Sequence, residues 1–133
     1  MAIQGKGFMI WQIPSCESGN AAKIAEEAVK AGLTYVLIKI ANGVLAYNVN
    51  STTKVDLVPP VVNALHAKGL QVWGWHYVYG NNPTGEAKIA VQRVQELGLD
   101  GYVIDAEDEY KRTGMDKAAT KFMTELRKGI SNK

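Results

Sequence analysis

Gly101-Tyr-Val-Ile-Asp-Ala-Glu107 carries two carboxylates at the end of an apolar run, and Asp108 and Glu109 follow at once. Read as a strand, its side chains alternate, so Val103, Asp105 and Glu107 share one face and Tyr102, Ile104 and Ala106 the other. Residues two apart on a strand have Cα atoms about 6.6–7 Å apart, near enough for an ionised Asp105 to raise the pKa of Glu107. One protonated and one ionised carboxyl is the pairing that glycoside hydrolysis uses. The same residues also fit a solvated acidic strand end, or a structural ion pair between Asp105 and Lys39. A Ca²⁺ or Mg²⁺ site is disfavoured, because the run lacks the spaced Gly and Asp pattern of a calcium loop.

Groups that could accompany the pair stand at the ends of other apolar runs. Gln71-Val-Trp-Gly-Trp-His-Tyr-Val-Tyr79 puts Trp73, Trp75, Tyr77 and Tyr79 on one strand face. Trp75 and Tyr77 could give the apolar platform on which sugar rings stack, and Tyr79, at the run's end, could reach a ligand. Trp73 reads as core. Lys39 and Gln12 complete the candidate substrate-binding set. His76 falls on the opposite face and reads as a satisfied structural histidine, while His66, on a helix, reads as exposed. Cys16 precedes a helix N-terminus, which lowers a thiol's pKa, but no base accompanies it.

The elements that must position these groups alternate regularly. Strands are expected at Lys6–Ile13, Thr34–Ala41, Gln71–Tyr79 and Gly101–Glu107. Helices are expected at Ala21–Ala31, capped by Ser18 or Asn20, and from a cap at Asp56 to Gly69 with Pro59 and Pro60 in the first turn. Two more follow, one ending near Leu97 and a last one at about Asp116–Lys128, burying Ala119, Phe122, Met123 and Leu126. Helix stops recur as Gly32-Leu33, Gly69-Leu70 and Gly98-Leu99, each shortly before a strand. Val44 to Lys54, polar and Asn-rich, reads as an ordered excursion or a mobile loop.

Four βα units imply a parallel sheet with right-handed crossovers. No Gly-rich phosphate turn follows the first strand, as a doubly wound nucleotide-binding sheet often has. Polar groups gather instead at several strand ends, which suits the mouth of a barrel. The expected fold is α/β, one domain over residues 1–133, the (βα)4 half of a TIM barrel. Its first and fourth strands expose backbone edges. Two copies about a two-fold axis could join these edges and close a (βα)8 barrel, so a homodimer is expected.

Three segments carry a family resemblance. Tyr35-Val-Leu-Ile-Lys-Ile-Ala-Asn-Gly43, Gly74-Trp-His-Tyr77 and Val103-Ile-Asp-Ala-Glu107 resemble, in order and spacing, the second, third and fourth strands of family 25 glycoside hydrolases, the lysozyme-type muramidases. The resemblance covers the first half of such a barrel. It implies a general-acid role for Glu107 and an assisting role for Asp105 at a sugar ring. The family's usual first-strand aspartate has no counterpart in Gly7-Phe-Met-Ile-Trp-Gln12. A carboxylate that the family takes from its second half barrel also lies outside this chain.

Composition narrows the alternatives. The net charge of +2, from 15 basic and 13 acidic residues, argues against nucleic acid or an anionic membrane as partner. One cysteine excludes an internal disulfide and a Cys-cluster metal site. No apolar run approaches the roughly 20 residues of a bilayer span, and residues 1–6 show no signal-peptide core. A soluble cytoplasmic protein without cofactor or metal is the expectation, acting on carbohydrate or as a non-catalytic half barrel that self-associates.

Overall fold

The structure, a computed structural model, describes residues 2–131. Strand β1 (Gly7–Ile10) leads through two single-turn 3-10 segments to helix α1 (Ala21–Lys30). Strand β2 (Tyr35–Asn42), a two-residue strand β3 (Leu45–Ala46) and helix α2 (Val58–Ala67) follow. Then come β4 (Gln71–Val78), α3 (Pro83–Glu96), β5 (Gly101–Ala106) and α4 (Met115–Gly129). The order β1-β2-β4-β5 is parallel throughout, with β3 added antiparallel to the end of β2. Core residues of all four helices pack with the strands in one cluster, the layering of half a barrel.

Local chemistry sets the boundaries. The Asn20 side chain accepts from Lys23 N–H to start α1, and Asn82 accepts from Gly85 N–H to start α3. Asp56 accepts from Val58 N–H ahead of α2. Gly32, Gly69 and Gly98 hold the left-handed conformation after α1, α2 and α3, which explains the recurrent Gly-Leu stops. The first strand is shorter than expected, because the chain turns at Ile13–Ser15, with Pro14 inside the turn.

The core lies between sheet and helices: Ile10, Val36, Ile38, Ile40, Val72 and Val78 from the strands meet Ile24, Val61, Leu65, Ala90 and Phe122 from the helices. Val29 and Met123 do not join it and are 49% and 36% exposed. The loop after β2 is ordered. Asn48, 8% exposed, receives Ile13 N–H and donates to the carbonyls of Trp11 and Lys39, which ties the ends of β1 and β2 together.

Three polar residues are buried with the core. His76 bridges Tyr102 Oη (2.8 Å) and the Gly43 carbonyl (2.7 Å). Burial holds its pKa down at about 4, so it is a neutral structural group. Glu86 accepts the N–H groups of Tyr79 and Gly80 and fixes the turn after β4. Arg93 donates to the Ile40 carbonyl and pairs with Asp56 and Glu96. The helical pattern of α3 hid Glu86 and Arg93, since both look like surface charges until the helix is docked.

Candidate functional site

Among the described residues, no helix covers the other face of the sheet. Met9 and Trp11 are 51% and 60% exposed, while Trp73 and Trp75, in the middle, are each 7% exposed. Trp73 is paired in register with Gly101, and its indole lies where a Cβ on Gly101 would stand. Glycine there lets the ring lie flat on the strand. Trp73 is therefore packed towards the N-terminal half of this face, away from the mouth.

At the C-terminal ends of the strands the face opens into a cleft of about 420 Å³, lined by Trp11, Lys39, Asn42, Trp75, Tyr77, Tyr79, Asp105, Glu107 and Glu109. Lys39 lies at its centre, 6% exposed. Its ammonium stands 4.5 Å from the Tyr47 ring centroid, 4.8 Å from Trp75, 5.7 Å from Tyr77 and 6.0 Å from Trp11. Rings at this range stabilise the cation through their quadrupoles. Nζ makes no hydrogen bond or ion pair among the described residues, so the Lys39–Asp105 structural pair does not form. Burial lowers the Lys39 pKa, and the charge of Asp105 opposes that shift.

The carboxylates differ in their surroundings. The charge of Asp105 is the main reason that the Glu107 pKa is raised; some loss of solvation, a hydrogen bond shared with Asp105 and the charges of Asp108 and Glu109 add to it. Glu109 accepts from Tyr77 Oη at 2.8 Å, and this bond pushes the Tyr77 pKa up to about 12. Tyr77 packs edge-on against Tyr79, whose hydroxyl receives the Asn42 amide at 2.9 Å. Asp108 points elsewhere, paired with Lys111.

Asp105, Glu107, Lys39, Trp75, Tyr77 and Tyr79 thus meet in one cleft. Gln12 does not line it. It borders a neighbouring hollow with Pro14, Ala46 and Asn48 and reaches only Tyr47 Oη, at 3.4 Å. Trp11, Tyr47, Asn42 and Glu109 were not expected. Trp11 follows from the alternation Gly7, Met9, Trp11, two residues at a time. Asn42 does not, because the register of β2 against β4 slips by one residue between Lys39 and Ala41. The extra residue puts Lys39 and Asn42, three apart, on the same face.

Partial burial and the adjacent Glu17 raise the Cys16 thiol pKa, the opposite of the lowering expected ahead of a helix N-terminus. Among the described residues, no three His, Cys, Asp or Glu side chains are grouped to hold a metal ion. No described helix is long and apolar enough to cross a membrane. No known family model and no curated protein matches the chain.

Proposed function

We propose that the cleft binds carbohydrate, with Glu107 as general acid and Asp105 as the assisting carboxylate. The observation that carries this reading is the coupled Asp105–Glu107 pair beneath an aromatic wall. A carboxyl whose pKa is raised by a charged neighbour is better suited to give its proton to a glycosidic oxygen. Trp11, Trp75 and Tyr77 offer ring faces to the C–H surface of a sugar, and Asn42, Lys39 and Glu109 offer polar partners to its hydroxyls. Soluble β-linked oligosaccharides and peptidoglycan fragments test the reading. Glu107→Gln should lower release of reducing ends by about 10²–10⁴-fold while binding stays within a few-fold. Binding and turnover that ignore both Glu107→Gln and Asp105→Asn would defeat the proposal.

A second reading rests on a different observation. Phe8 and Ile104, on the helix side of β1 and β5, are 51% and 36% exposed, and Met9 is open on the other face. Beside β1 a groove of about 410 Å³ runs over Phe8, Ile24, Ala28, Leu33 and Val36. Apolar surface beside an unpaired parallel edge favours association. A second copy about a two-fold axis would pair β5 with β1, close eight strands and set two Glu107 side chains across one mouth. Light scattering should then give a dimer at micromolar concentration that Met9→Glu dissociates; a monomer across that range would remove this reading.

A further inference from the structure

The cleft is unbalanced twice over, and one kind of ligand corrects both imbalances. Among the described residues that line the cleft, Lys39 is the one cation beside Asp105, Glu107 and Glu109. Lys39 is 6% exposed with its head held among four rings, and among the described residues Nζ has no hydrogen-bond acceptor. Nζ borders the open cleft, so a ligand oxygen placed there would accept from an N–H that has no protein partner among the described residues. The carboxylates ask for the opposite, hydrogen-bond donors and positive charge.

A neutral sugar satisfies Lys39 through its hydroxyls and the rings through its C–H face, but leaves the carboxylates without counter-charge. An acidic sugar would bring a like charge to three of them. A sugar with a free amine supplies hydroxyl oxygens to Lys39, an ammonium to the carboxylates and a cation to the exposed Trp11 ring. The chain's own net charge of +2 opposes general attraction of a polycation, so any preference must come from the cleft itself. Resting on the carbohydrate reading, we propose that the cleft selects oligosaccharides bearing free amino groups, of the deacetylated glucosamine class, over their N-acetylated and neutral counterparts.

Calorimetric titration of the full chain with three tetrasaccharides tests this: glucosamine, N-acetylglucosamine and glucose, all β-1,4-linked. At low salt the amino form should bind about tenfold more tightly, and the margin should shrink to about threefold or less as salt screens the charges. Glu109→Gln should narrow the margin, while Lys39→Met should weaken all three ligands. Equal affinity for the three would overturn the amine preference and leave carbohydrate binding standing. A preference that survives both Glu109→Gln and Asp105→Asn would assign it to the general surface and overturn the proposal. Binding to none of them would remove the carbohydrate reading itself.

Discussion

The two faces of the sheet treat their polar groups in opposite ways. Under the helices, His76, Glu86 and Arg93 are almost fully buried, and each is matched to named donors or acceptors. On the open face, Lys39 is 6% exposed, with rings around its head and no hydrogen-bond acceptor among the described residues. Glu107 is exposed, yet the neighbouring charge of Asp105 raises its pKa. A satisfied buried group fixes a fold, whereas an unsatisfied one at a cleft leaves bonding capacity for something else.

This contrast predicts opposite results on the two faces, in stability and in ligand binding. The largest effect is expected at Arg93. Arg93→Met leaves the Ile40 carbonyl and Asp56 without their partner and should cost about 3–5 kcal/mol by urea unfolding. Lys39→Met removes a charge that has no acceptor and should change stability by less than about 1 kcal/mol. Equal losses at the two sites would erase the distinction.

His76 comes next. Its folded pKa of about 4 lies below the ordinary 6.5, so the unfolded chain binds the proton more readily. The stability from a neutral His76 is complete above pH 6.5 and is lost as pH falls through that value towards 4. The loss should approach about 3 kcal/mol, and unfolding midpoints for wild type and His76→Asn across this range should show it in the wild type alone. Glu86→Gln, which keeps one acceptor oxygen for the Tyr79 and Gly80 N–H groups, should cost about 1–2 kcal/mol. The smallest change is expected at the mouth: Glu107→Gln should shift stability by no more than about 0.5 kcal/mol, because the side chain is exposed and the change relieves like-charge repulsion.

Much of this arrangement was legible in the sequence. The alternation of apolar strands and Gly-stopped helices gives the order of elements, and period-two spacing puts Val103, Asp105 and Glu107 together. It also assigns His76 to the helix side. Three features escaped for physical reasons. The register slip after Lys39 defeats strand parity and conceals Asn42. Glu86 and Arg93 gain their partners only when α3 lies against β2 and β4, which no local pattern reports. The Asn-rich loop looks loose, but Asn48 bonds two strand ends and carries Tyr47 to Lys39. Gln12 was misplaced because the chain turns at Ile13, which moves it beside Tyr47 and out of the cleft.

The three indole N–H groups offer the most direct test. Trp11 and Trp75 line the cleft, whereas Trp73 donates to Gln71 at the far end of the same face. In a heteronuclear NMR titration with a β-linked oligosaccharide, the Trp11 and Trp75 indole signals should move together with Lys39, and Trp73 should stay in place. Movement of all three alike, or of none at saturating sugar, would contradict a carbohydrate site at the mouth of the sheet.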